Sequence, residues 1–312
     1  MAFLRAFGSY LPARVIPNPE LAARLGCDAD WILSASGIAE RRWAAESETV
    51  ADMAVAAAGD CLLRASSTAA EIGMLIVSSG TSPRRFPGPA AETASRLGLA
   101  GVPALDVPMA SAGSLFGMAL GARLGDSYGP VLLVAAEKMS AVIESAPLDR
   151  NTAILFGDGA GACLIHPSSG RAALTQFALH SDGAFADALR LEFGESIHMD
   201  GRAVIMHAAR KVPAAIREVL DRDGRRPDSI GTFLMHQANQ NLIAKIAQTL
   251  EVAPEKFYSN IAKYGNTSSA SMLIAASEWS AAGGFEPGEA VVFATFGAGF
   301  HWGALLAVGS AT

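Results

Sequence analysis

The stretch ALDVPMASAGSLFGMAL, residues 104–120, decides the fold. Its first four residues read as a short buried strand, and from Ser111 onward apolar residues return at the three- and four-residue spacing of a helix. The same alternation extends in both directions. IGMLIVSS (72–79), ALDV (104–107), VLLVAA (131–136), GTFLMH (231–236) and AVVFATF (290–296) are strand candidates. TVADMAVAAAGDCLLRA, AVIMHAARKVPAAIREVLDR, NQNLIAKIAQTL and TSSASMLIAASEWSA carry helical periodicity between them. Near-continuous apolar strands alternating with helices predict an α/β fold, its sheet mostly parallel and covered on both faces.

The chain has 312 residues, 51% of them hydrophobic and 17% charged, enough apolar material for a large core and too much for a disordered or fibrous protein. That length suits one large α/β domain or two packed half-domains. The net charge of −6 comes without a basic stripe or a run of like charges, so neither nucleic acid nor an anionic membrane is an expected partner. Cys27, Cys61 and Cys163 are odd in number, far apart and set in apolar text, which predicts reduced thiols rather than a disulfide frame or a metal site. MAFLRAFGSYLPARV lacks a long apolar secretory core, and the other apolar runs are broken before they could span a bilayer. A soluble cytoplasmic protein is therefore expected.

One pattern occurs twice. FGDGAGACLI (156–165) and FGAGFHWGALL (296–305) both read F-G-x-G, and each closes an apolar run near the end of a half. This predicts a duplicated unit, residues 1–168 and 169–312, with its boundary near 166–172.

Ser111 stands where the strand candidate turns into the helix. Free N–H groups at a helix start favour negative charge, so a nucleophile there would have its tetrahedral intermediate stabilised; a serine in this place can equally be a helix cap. M109-A110-S111-A112-G113 has Met109 where a hydrolase nucleophile elbow has glycine, which argues against an α/β-hydrolase. His236, in LMHQANQNLIAKIAQTL, occupies the matching strand-to-helix edge of the second half, where open α/β sheets gather ligands. His166, His180, His198, His207 and His301 lack that placement. Asn266, in KYGNTSSASM, could present its amide as a fixed donor or simply belong to a capped helix start. The Gly-rich FGAGFHW could complete an oxyanion hole; neither it nor GDGAGA has the spacing of a nucleotide-phosphate fingerprint.

In this order the segments resemble a known family. GSYLPARVIPN, DWILSASGIAERRWA, SGTSPRRFPGPAAETASRLG, ALDVPMASAG, DRNTAILFGDGAGA, MHQANQN, YGNTSSAS and FATFGAGFHWGALL are together similar to β-ketoacyl-acyl-carrier-protein synthase III, a condensing enzyme of the thiolase superfamily, over essentially the whole chain. The resemblance implies the duplicated five-layered αβαβα thiolase fold, a homodimer, and acyl-CoA and acyl carrier protein as substrates, with no separate cofactor and no metal. It places the family's Cys-His-Asn triad on Ser111, His236 and Asn266, and its oxyanion amides on the backbones of Ser111 and Ala298. Coenzyme A contacts fall on Trp31 and Arg150. The acyl pocket is expected to include Met206 and Phe86, the latter reaching across the dimer.

Three departures stand out. Ala35 replaces an arginine that helps hold coenzyme A phosphates in the family, Asn241 replaces a basic residue used in carrier docking, and Ser111 replaces the nucleophilic cysteine. A cysteine thiol, with a pKa of about 8.5, can be ionised by a helix terminus. A helix terminus contributes about 1–2 kcal/mol, far short of what ionising an alcohol needs. Ser111 must lose its proton during attack, with His236 the natural base. Four readings follow: an acyltransferase working through Ser111, a serine hydrolase of acyl thioesters, a non-catalytic partner subunit, and an engineered Cys-to-Ser trap of an ordinary synthase.

Overall fold

The computed structural model describes residues 1–144 and 149–311. Ten strands make the main sheet: β1 (Ala2–Tyr10), β2 (Met74–Ser78), β3 (Ala104–Val107), β4 (Val131–Glu137), β5 (Gly159–His166), β6 (Ala172–Ser181), β7 (Thr232–Met235), β8 (Phe257–Tyr258), β9 (Ala290–Gly297) and β10 (His301–Gly309). The helices that matter here are α1 (Ala29–Ser36), α2 (Val50–Arg64), α3 (Pro89–Arg96), α4 (Gly113–Tyr128), α5 (Gly201–Arg222), α6 (Gln240–Leu250) and α7 (Ser271–Ala281).

Across the sheet the strands run β8-β7-β9-β10-β6-β1-β5-β4-β2-β3. β1 and β6 join the halves through three residue pairs: Ala2 with Leu174, Phe3 with Ala173 and Leu4 with Ala172. On either side of this seam the pairing repeats. β5 is antiparallel to β1 and β4, and β2 is parallel to β4 and β3. In the second half β10 is antiparallel to β6 and β9, and β7 is parallel to β9 and β8. The turn between β5 and β6, residues 167–171, separates these two repeats of the pairing order.

Successive side chains of β4 point to opposite faces. Leu132, Val134 and Ala136 pack with Met53, Ala57 and Cys61 of α2. Leu133 and Ala135 face a central cluster that holds Leu115 and Met118 of α4, Leu273 of α7, and Leu234, Val291 and Phe293 of the second half. On the far face of that half, Phe233, Met235 and Val292 meet Val212 and Ile216 of α5 and Ile243 and Ile246 of α6. The layers are therefore helix, sheet, helix, sheet, helix. α7 lies in the middle layer and is buried all round from Ser271 to Ser277; a helix apolar on every side has no other stable place.

The sheet is less parallel than the apolar runs predict. β1, β5, β6 and β10 supply the antiparallel pairs, and two of them, β5 and β10, run through the glycine-rich segments 156–165 and 296–305. Glycine is there for close approach rather than for turning. A Cβ on Gly161 of β5 would stand 2.6 Å from Leu273 Cβ and 2.9 Å from the Ile274 nitrogen of α7.

Candidate active site

Ser111 lies in the connection between β3 and α4, and its backbone is strained. The Ala112 N–H donates to the Ala110 carbonyl at 2.7 Å, and Ser111 between them has φ +63°. This is a γ-turn around a non-glycine residue in the left-handed region, a conformation that persists only when its surroundings enforce it. The enforcing contacts come from three directions. The Ser111 N–H donates to Ser268 Oγ at 3.1 Å, and the Ser111 carbonyl accepts from Thr295 Oγ1 at 3.0 Å. Gly297, at the end of β9, lies so close that a Cβ there would stand 2.7 Å from the Ala112 nitrogen and closer still to the Ala110 carbonyl. A Cβ on Gly80 would meet that of Ala110 at 2.9 Å. Glycines on neighbouring segments thus leave room for the turn around Ser111. The capping reading fails: Ala112 holds the N-cap position of α4, with no side-chain cap bond. Among the described residues the Ser111 hydroxyl has no hydrogen-bond partner.

His236 follows β7, its N–H bonded to the Ala294 carbonyl of β9 at 2.9 Å. Its Nδ1 lies 2.6 Å from Ser271 Oγ, at the first turn of α7. Burial drives its pKa down from 6.5 to about 4, so the ring is neutral at neutral pH. A group so weakly basic is a poor acceptor for an alcohol's proton, which counts against His236 as the base for Ser111. Asn266 is fixed by its backbone: its N–H donates to the Leu155 carbonyl at 2.8 Å and its carbonyl accepts from Gly157 at 3.1 Å. Its Oδ1 accepts from the Ser268 N–H at 2.8 Å. That bond identifies the oxygen and leaves the Nδ2 hydrogens available as donors.

Ser111, His236, Asn266 and Ala298 all line one cavity of about 160 Å³, which continues between α5 and α6 along Val204, Ala208 and Ile246. Ala298 is the first residue of a 3-10 turn, so its N–H has no acceptor within that turn. The Ser111 N–H differs from expectation, because it already serves Ser268. Arg190 lines the same cavity, and no feature of the sequence marks it. Ser268 and Ser271 sit within the GNTSSAS motif and were legible as polar neighbours of Asn266.

The remaining expected residues divide. The Arg150 guanidinium lies 5.1 Å from the centre of the Trp31 ring, a cation–π pair. Trp31 belongs to α1, whose final carbonyls Ser34 and Ala35 accept from Asn241 Nδ2 at 3.1 and 3.3 Å, while Asn239, a cavity residue, donates to Ala35 at 2.9 Å. The two departures at 35 and 241 are therefore partners: the asparagine amide satisfies the carbonyls at the end of α1. Met206 is a correction, since it faces outward from α5 at 61% exposure while Met199 and Ile205 line the cavity. A helical wheel favours one face of α5 but does not say which residue of a pair meets the next layer. Phe86 does not line the Ser111 cavity in this chain; it is 85% exposed on a separate groove shared with Phe193.

No cysteine takes over from Ser111. Cys61 and Cys163 are buried in the core with thiols pushed up by desolvation, Cys61 to about 12, and none of the three lines the cavity. Among the described residues no group of His, Cys, Asp and Glu is arranged to hold a metal. No described helix is long and apolar enough to cross a membrane.

The doubled five-layer architecture, with its cavity between the inner ends of the two halves, defines an α/β enzyme of the thiolase-like condensing class. More narrowly, the chain belongs to the 3-oxoacyl-[acyl-carrier-protein] synthase III family, an acyltransferase-type family of condensing enzymes. Family models for 3-oxoacyl-[acyl-carrier-protein] synthase III match residues 105–183, and for its C-terminal part residues 220–308. The β-ketoacyl-[acyl-carrier-protein] synthase III of Oleidesulfovibrio alaskensis is 34% identical, covering 98% of each chain. That of Geobacillus kaustophilus is 36% identical, covering 96% of each. The crystal structure of the Aquifex aeolicus synthase III superposes with a TM-score of 0.93 at 33% identity, covering 99% of this chain and 100% of that one. The priming β-ketosynthase of the R1128 polyketide pathway superposes at 0.91 with 30% identity, covering 99% and 96%.

Proposed function

We propose that this chain takes an acyl group from an acyl-CoA onto Ser111 and passes it to a malonyl-carrier or another acceptor, priming fatty-acid or polyketide synthesis. The observation that carries the reading is the strained turn: hydrogen bonds to Ser268 and Thr295 and the close approach of Gly80 and Gly297 hold Ser111 at φ +63° beside a cavity that also holds His236 and Asn266. Ser66 also has a positive φ yet lies outside the cavity, so it is the strain together with the shared cavity of His236 and Asn266 that supports the reading. In the first step Ser111 Oγ attacks the thioester carbon, the C–S bond breaks, and the hydroxyl proton ends on the departing sulfur. The Ala298 N–H is available to the oxyanion, and Asn266 and neutral His236 can donate to a developing enolate in the second step. An oxygen ester is less electrophilic than a thioester, so acyl transfer is favoured over condensation.

The Trp31–Arg150 pair, which does not itself line the cavity, supports adenine binding beside α1. The loss of basic residues at 35 and 241 supports a different or weaker docking of acyl carrier protein than in relatives that keep them. β3 is an edge strand whose Ala104 and Leu105 are exposed, near the exposed Phe86. These features support a homodimer joined at that edge, with Phe86 reaching the partner's cavity. The enzyme needs no bound cofactor, and the reading places it in the cytoplasm.

Intact-protein mass spectrometry after incubation with short acyl-CoAs tests this. The unaltered chain should gain one acyl mass and release coenzyme A; Ser111→Ala should do neither. Ser111→Cys should acylate at least tenfold faster, since the thiolate needs no proton transfer in the transition state. No adduct and no coenzyme A release from the unaltered chain would sink both the acyltransferase and the hydrolase readings. Free acid as the main product would favour the hydrolase.

A further inference from the structure

We infer that Ser271 is a positioning residue that fixes the neutral His236 ring in the tautomer with its proton on Nε2, so that the ring meets the cavity as a hydrogen-bond donor. The inference deepens the proposed function, because it rests on His236 facing the reacting carbonyl.

The protons around one buried oxygen decide the tautomer. Ser271 Oγ is 2.6 Å from His236 Nδ1 and 3.0 Å from the Gln237 nitrogen, and Ser271 is 2% exposed. The Gln237 N–H can only donate, so it occupies one lone pair of Oγ. Two arrangements remain for the 2.6 Å contact. If Nδ1 carried the ring proton, Oγ would accept twice, and the Ser271 O–H would need an acceptor elsewhere; among the described residues it has none. If instead Ser271 donates to an unprotonated Nδ1, the buried hydroxyl hydrogen is paired, and the one hydrogen left over, on Nε2, belongs to a ring that lines the cavity. Buried hydroxyls are satisfied in folded proteins, so the second arrangement holds. The neutral ring then carries its single proton on Nε2.

This changes what His236 can do. A base for Ser111 would need the Nε2 lone pair, whereas an Nε2–H supplies a donor. The ring thereby matches Asn266, whose Oδ1 is engaged by the Ser268 N–H and whose Nδ2 is left to donate. Two serines of one GNTSSAS segment thus orient the two donor side chains: Ser268 through its backbone, Ser271 through its hydroxyl. Ser268 also receives the Ser111 N–H, so the same short segment touches all three residues. Gln237, next to His236 in the chain, is held by its own side chain, which donates to the Met235 carbonyl at 2.8 Å. The N–H that directs the Ser271 proton is therefore itself held in place.

Two-bond proton–nitrogen correlation spectra of the protein, labelled at histidine nitrogens, read the tautomer directly. The His236 ring is assigned by its loss in His236→Gln. The expected result is protonated Nε2 and unprotonated Nδ1 at pH 7, with Ser271→Ala shifting the ring toward the Nδ1–H form. With a short acyl-CoA and a malonyl-carrier as substrates, Ser271→Ala should lower kcat for β-ketoacyl product on the order of tenfold or more while leaving KM for the acyl-CoA unchanged, as expected for loss of a transition-state donor. An Nδ1–H ring in the unaltered protein, or an Nε2–H ring that persists in Ser271→Ala, would overturn the inference. The spectra give their answer whether or not the chain transfers acyl groups. Failure of acyl transfer with an Nε2–H ring would count against the proposed function alone.

Discussion

His236 also ties the site to the stability of the fold. Its pKa is about 4 in the folded chain against an ordinary 6.5, lowered by burial. Between those values the unfolded chain binds a proton at this ring that the folded chain refuses. Stability therefore falls as pH drops through this window, by up to about 3 kcal/mol once the pH is below 4. Asp158 works in the opposite direction: its carboxyl is pushed up to about 6 by desolvation, so the folded chain holds that proton more tightly, and acidification through the window from about 6 to 3.8 favours it. Urea midpoints of the protein and of His236→Gln, compared at pH 7 and 4.5, isolate the histidine. The variant should lose less stability on acidification, and equal losses would reject the burial argument. The sequence placed this residue at a strand end beside a helix. It could not show the depth of burial, which depends on layers contributed by segments far away in the chain.

At the scale of elements, the nucleophile turn is shaped by its neighbours. Gly297 has φ −150° and ψ −178°, extended values that alanine adopts without strain, so any cost of Gly297→Ala is steric. Its Cβ would press on the Ala110 carbonyl and the Ala112 nitrogen. The expected cost is about 1–3 kcal/mol, with acylation of Ser111 slowed at least tenfold as the turn is displaced. Thermal melts and mass-spectrometric acylation rates check both; an unchanged rate would mean that the turn does not depend on this wall. The FGAGF segment was legible as glycine-rich and close to the chemistry. Why glycine is needed at 297 was not legible, because the obstacle is a backbone 185 residues earlier in the chain.

At the scale of the molecule, the two halves share one central cluster, and Glu137 ties them at the site. Fully buried at the end of β4, it accepts from the Gly80 N–H at 3.0 Å, from Thr81 Oγ1 at 2.7 Å and, across the seam, from Ser269 Oγ at 2.6 Å. The outer edge is different, with β3 leaving backbone groups unpaired, a template for a second sheet. Light scattering should give a particle of twice the 32.2 kDa chain mass, and Leu105→Lys, at the edge, should shift it toward the single-chain mass. A monomer in the unaltered protein would reject the edge-to-edge dimer.

The sequence by itself determined the α/β class, the duplication and the segments that carry Ser111, His236 and Asn266. These are written locally, in strand and helix periods and in short motifs that survive without knowledge of their neighbours. Tertiary structure alone decided which strands are antiparallel, that Met206 faces solvent, that Ala35 and Asn241 meet, and that the Ser111 N–H is already engaged. Each of these depends on what another segment brings within a few ångströms. Close packing and hydrogen-bond satisfaction act through space, and neither leaves a period in the chain.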